Sequence, residues 1–151
     1  MTKLIKMNFF FYILVFFLFI VTESIAKGNF FEEAKKNYED KEMEVSKFLF
    51  QRNIVFNPKD AQSYLYLAKI YNHEENESEE IKNLNTTLLL EPDNEEAIYM
   101  LIEIELKKSN FSEVKNLSEK FELVCAKLCY KTKDIEKRLN DIDVKENNKK
   151  Q

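Results

Sequence analysis

The stretch Asn57-Pro58-Lys59-Asp60 is answered by Glu91-Pro92-Asp93-Asn94, and their prolines, the only two in the chain, stand 34 residues apart. Proline lacks a backbone N–H and biases the residue before it away from the α region, so each stretch ends one helix before the next begins. Both are followed by segments with helical apolar spacing. Carrying the register in both directions divides the chain into units 27–60, 61–94 and 95–128. With one glycine (Gly28) and these two prolines in 151 residues, the chain lacks the breakers that hairpins of strands and phosphate-cradling loops require. An all-α repeat array follows, within the size of one domain.

The middle unit is the most regular. Its first helix carries Tyr64-x-x-Leu67-Ala68-x-x-Tyr71, large residues with a small one between them, and the small one lets a partner helix approach closely. Its second helix, expected over about 78–90, carries Ile81, Leu84, Leu88 and Leu89, an i, i+3, i+7, i+8 stripe that can pack on the first. This pattern, at this period, resembles the tetratricopeptide repeat (TPR) family, with Tyr64 for the family's Trp, Ala68 for its Gly, and Glu80 where it has a small Ala. The third unit matches through Ile98, Leu101, Ile102 and Asn110-Phe111-Ser112-Glu113-Val114, with Glu105 in place of Tyr; the first matches through Phe30, Ala34, Phe50 and Pro58. The resemblance implies a solenoid of about three helical hairpins. Residues 129–143, with Ile135, Leu139 and Ile142 on one stripe of a charged segment, read as a capping helix that covers the last repeat. Residues 144–151 offer nothing apolar to bury and read as a disordered tail.

Lys3 and Lys6 precede an apolar run from Phe9 to Val21, followed by Thr22-Glu23 and Ser24-Ile25-Ala26. This is the three-part layout of a secretory signal peptide, residues 1–26, with cleavage expected after Ala26. Thirteen apolar residues make a helix of roughly 20 Å, short of the ~30 Å hydrocarbon core that a membrane anchor must cross. Export to the periplasm or extracellular space is therefore expected, with the membrane involved only before cleavage.

The residues argue against several functions. The formal charge is −4, which leaves no basic surplus for a phosphate backbone, so no nucleic-acid partner is expected. A single glycine excludes Walker loops, dinucleotide fingerprints and nucleophile elbows. The one histidine, His73, lies beside Glu74 and Glu75 without further ligands, so neither metal nor cofactor is expected, and no catalytic residues are assigned. Cys125 and Cys129 are the one pair worth weighing. In an exported chain a C-x-x-x-C pair is suited to a disulfide, with Cα atoms roughly 6 Å apart on a helix; a redox-active pair, free thiols and an intermolecular bond are the alternatives.

In TPR proteins the first helices line the groove that holds a ligand. The resemblance places Phe31, Leu65 and Tyr99 in one groove-facing row at intervals of 34, beside Lys35, Lys69 and Glu103 and then Tyr38, Asn72 and Leu106. Large apolar groups flanked by charge suit a protein or peptide partner such as an amphipathic helix. The other role for this row is to fill the gaps between adjacent first helices. The expected function is a non-enzymatic adaptor or scaffold of the cell envelope; a self-associating structural subunit and a thiol oxidoreductase are the alternatives.

Overall fold

The computed structural model describes residues 30–149, with side chains to residue 141. The expected signal peptide and its cleavage site lie outside the described residues. Among those residues there are seven α-helices, one short 3-10 turn and no strand. They are α1 (Phe30–Glu39), α2 (Met43–Phe56), α3 (Ala61–His73), α4 (Glu77–Leu90), α5 (Glu95–Lys107), α6 (Phe111–Val124), the 3-10 turn Cys129–Lys131, and α7 (Thr132–Lys149). Each of the three sequence units holds one helical hairpin: α1–α2, α3–α4 and α5–α6.

The period is visible in the backbone. Each hairpin turns at a residue with left-handed φ, Lys41 at 65°, Glu75 at 57° and Ser109 at 59°, again 34 residues apart. At each turn the following N–H reaches five residues back: Glu42 to the Asn37 carbonyl at 2.8 Å, Asn76 to Tyr71 at 2.9 Å, and Asn110 to Glu105 at 2.9 Å. This is the Schellman closure, which satisfies carbonyls that a helix end leaves open. Asn76 and Asn110 stand as the N-cap residues of α4 and α6, and the Asn76 side chain accepts from the Glu79 N–H.

Packing follows the same period. Ala34, Ala68 and Ile102 are fully buried where the two helices of a hairpin cross. Opposite them stand Ser46, Glu80 and Val114, also 34 apart and also buried. The Ser46 hydroxyl donates to the Ala34 carbonyl at 2.9 Å. Glu80, despite its size, is only 4% exposed, and its carboxylate accepts from the Asn72 amide at 3.0 Å. The core continues between repeats: Leu65, Ala68 and Leu84 of the second hairpin cluster with Ala97, Leu101 and Ile104 of α5.

The cap is in register with the array. Leu67, Leu101 and Ile135 recur every 34 residues and all are buried, so α7 takes the place of the first helix of a further repeat. Ile135 packs with Ile98, Ile102, Val114 and Phe121. α7 begins at Thr132 and runs to Lys149, past residue 143 where the cap was expected to end and through residues read as a disordered tail. No Gly or Pro interrupts that segment, and Lys, Glu and Arg favour a helix once its first turns are docked.

Candidate functional site

The face formed by the first helices is held together by contacts from one repeat to the next. Between α1 and α3, the Tyr66 ring meets Phe31 edge-on at 6.0 Å and Tyr38 at 5.2 Å, and stacks on Phe50 of α2 at 4.9 Å. Between α3 and α5, the Lys69 ammonium lies 2.8 Å from Glu96 and 4.7 Å from the centre of the Tyr66 ring. Between α5 and α7, the Arg138 guanidinium lies 2.6 Å from Glu103. Lys131 sits over the Tyr99 ring at 5.1 Å.

These contacts sort the expected partner-binding residues. Leu65 is a core residue with 2% exposure, enclosed by Ala68, Leu84, Ala97, Leu101 and Ile104, and is not available to a partner. Phe31 and Tyr99 are half-buried, Phe31 against Phe50 and Tyr66, Tyr99 against Phe121 at 6.1 Å. Leu65 thus packs between α3, α4 and α5, Phe31 between α1, α2 and α3, and Tyr99 against α6. Leu106 also packs inward, on the cluster around Ile98 and Phe121. Lys35, Tyr38, Lys69 and Glu103 are half-buried and Asn72 is exposed, so these five do reach the surface. The positions one residue further along, about 100° round each helix, are exposed at Glu32 and half-buried at Tyr66 and Met100, each of which keeps part of its side chain at the surface. A family pattern fixes the large core residues; it does not tell an inward Leu from an outward one, and the Tyr66 and Met100 positions carry no consensus signal.

The electrostatics of this face are mixed. Burial, followed by the nearby Glu39, Glu96 and Glu32 carboxylates, pushes the Tyr66 hydroxyl above the usual phenol value. Burial and Glu96 do the same for Tyr38. Burial also raises the Glu80 carboxyl, against the opposing effects of the Asn72 hydrogen bond and Lys107.

The corner before α7 is built differently from the sequence expectation. The helix ends at Val124, so Cys125 (ψ 138°) and Cys129 are not on one continuous helix; the chain doubles back and brings their Cα atoms to 5.1 Å, with the two sulfurs in contact. The Glu95 carboxylate reaches across 31 to 33 residues to accept the backbone N–H groups of Ala126, Lys127 and Leu128, at 2.7 to 3.1 Å. Burial alone would raise Glu95, but these three N–H groups outweigh it and hold the carboxyl below the usual range. Successive N–H groups converging on one anion form a nest. Nothing local to residue 95 signals this contact.

No helix of the described residues is long and apolar enough to cross a membrane. No family model matches the chain, and no curated protein matches it in sequence. Its fold is similar to that of the type III secretion chaperone SycD of Yersinia enterocolitica in complex with a peptide of the translocator YopD, at 15% identity and a TM-score of 0.66 over 78% of this chain and 92% of that one. A second structure of SycD, described as a translocator chaperone, matches with a TM-score of 0.68 and 15% identity over 82% and 88%. A chain of the CopN-Scc3 complex matches with a TM-score of 0.59 and 17% identity over 74% and 65%. The chain therefore has an all-α, TPR-like helical-hairpin fold of the kind found in these chaperones.

Proposed function

We propose that the protein is a non-enzymatic binding module that holds a partner polypeptide along its first-helix face, and that it does so outside the cytoplasm after export. The observation that carries the binding reading is the surface shared by Tyr38, Tyr66, Lys69, Met100 and Glu103. It presents aromatic, aliphatic and charged groups on adjacent first helices that the array already holds in place. Rigid aromatic anchors ringed by charge are what a peptide needs for affinity and register. The likeness to SycD, whose structure carries a peptide of a translocator, supports the same use of the fold. Export rests on residues 1–26, and a disulfide between Cys125 and Cys129 would form on arrival in an oxidising compartment.

Affinity capture from an envelope extract, with mass spectrometry, tests the binding reading. The wild-type protein is expected to recover a defined partner, and Tyr66→Asp combined with Met100→Asp is expected to lose it while Leu89→Asp, on the exposed side of α4, keeps it. Equal recovery by both variants would remove the first-helix face from the interaction. N-terminal sequencing of the exported protein is expected to begin at Lys27; a chain beginning at Met1 and held in the membrane would make residues 1–26 an anchor.

A further inference from the structure

Where α3, α4 and α5 meet, the first-helix face sinks into a cavity of about 220 Å³ lined by Asn72, Glu80, Met100, Glu103, Ile104 and Lys107. An adjoining depression of about 230 Å³ shares Asn72, Glu80, Ile104 and Lys107 and adds Glu75 and Glu77. At the floor is Glu80, 4% exposed. Its Oε1 accepts the Asn72 amide at 3.0 Å; Oε2 takes no hydrogen bond from the described residues and is not sealed from the cavity. A carboxylate buried to this degree, with an oxygen left open toward a solvent-sized space, is an acceptor waiting for a donor.

The charges around it decide which donor. Glu77 is paired with Lys108 at 3.0 Å and Glu103 with Arg138 at 2.6 Å. That leaves Glu80 and Glu75 against Lys107, an acidic surplus. The walls are different in kind: Met100 is half-buried and Ile104 is 2% exposed, so one side of the cavity is aliphatic. A methylene stem ending in a cation matches both parts, the stem lying on Met100 and Ile104 and the head reaching the Glu80 oxygen.

We propose that this cavity seats the basic side chain, lysine or arginine, of a polypeptide bound on the first-helix face. The proposal rests on the binding reading above and adds the chemistry of one anchor. An anion would meet the open Glu80 oxygen and gain only Asn72 and Lys107. An apolar side chain would strand a desolvated carboxylate. Burial already raises the Glu80 carboxyl, so a cation placed beside it recovers interaction that solvent no longer supplies.

The test uses three capped pentapeptides, alanine throughout with lysine, norleucine or glutamate at the centre, titrated into the purified protein and followed by NMR at the Asn72 side-chain amide. The lysine peptide is expected to shift that amide saturably and the other two are not. Glu80→Gln, which keeps the shape and the Asn72 contact, is expected to weaken lysine-peptide binding by about tenfold or more. Lys107→Ala, at an exposed position, is expected to tighten it by about threefold through loss of a competing cation. Weaker binding in Lys107→Ala, or a glutamate peptide that binds better, would make this an anion site and overturn the proposal. So would a norleucine peptide that binds as well as lysine, or no titration with any peptide. Should Glu80→Gln lose its melting transition, Lys107→Ala still decides by the sign of its effect. If wild type and Glu80→Gln capture the same partner equally, the cation anchor is wrong while the adaptor reading stands; if no partner is captured although the lysine peptide binds at Glu80, the reverse holds.

Discussion

Leu65 separates a core role from a binding role in one substitution. Leu65→Ala removes three carbons from a side chain with 2% exposure. At about 0.8 kcal/mol per buried methylene the transfer loss is roughly 2.4 kcal/mol. A cavity contribution adds to it, because two of the surrounding residues, Ala68 and Ala97, have no reach with which to close the gap. A total of about 3 kcal/mol follows, inside the usual range of about 2–5 kcal/mol for such truncations. For an array of this size that lowers the melting temperature by about 12 °C, taking roughly 4 °C per kcal/mol. Leu89→Ala, on the same hairpin but 80% exposed, is expected to cost less than about 0.5 kcal/mol. Circular dichroism melts and urea titrations of both variants, with partner capture at a temperature where both are folded, supply the comparison. If Leu65→Ala melts within about 1 kcal/mol of wild type and still fails to capture the partner, then Leu65 faces the ligand and the packing described for α3 and α5 is wrong.

Three further outcomes follow from the turns and the cap corner. Glu95→Gln is expected to cost about 1 kcal/mol at pH 7, a charged acceptor of three N–H groups, two of them exposed, discounted for solvent screening. Because folding depresses the Glu95 carboxyl, its contribution is present above the unfolded value of about 4.3 and fades as pH falls through the folded one. Urea titrations of wild type and variant from pH 7 to 3 should therefore converge, and a gap independent of pH would refute the nest. Ser109→Gly is expected to stabilise by about 0.5–1 kcal/mol, since φ of 59° suits glycine and strains serine; a lower melting temperature would count against the left-handed turn. Thiol labelling of the denatured, unreduced exported protein is expected to find no reactive cysteine, and two reactive thiols would rule out the Cys125–Cys129 bond.

Local features of the chain were legible as sequence. Pro58 and Pro92 mark the repeat boundaries because proline acts on its own backbone and on the residue before it. Leu67, Ala68 and Leu101 announce a helix crossing because size and spacing suffice for that. The phase of the surface rows was not legible. An apolar residue at position 65 reads the same whether it faces a ligand or the next first helix, and only the position of α5 decides. The burial of Glu80 was hidden for a related reason: a carboxylate at a small-residue site looks like a defect until Asn72, on the facing helix, is seen to receive it. Glu95 and the 126–128 backbone are joined by tertiary structure alone. Helix α7 extends past residue 143 because a lack of apolar side chains does not by itself end a helix on a segment without Gly or Pro.

The recurring closures have an architectural consequence. The Asn57, Glu91 and Cys125 N–H groups each bond four residues back, at 2.7, 2.7 and 2.8 Å, and the hairpin turns repeat as closely. The three hairpin turns are thus cut to one template and the first two joints between repeats to another, while the side chains around them differ. A hairpin is in effect a brick whose top and bottom edges match, so the length of the array is a free variable of the design. A second copy of residues 61–94 placed after Asn94 would meet the same backbone joint on both sides, and the first-helix face would grow by one helix whose side chains would have to fit α4 in place of those of α5.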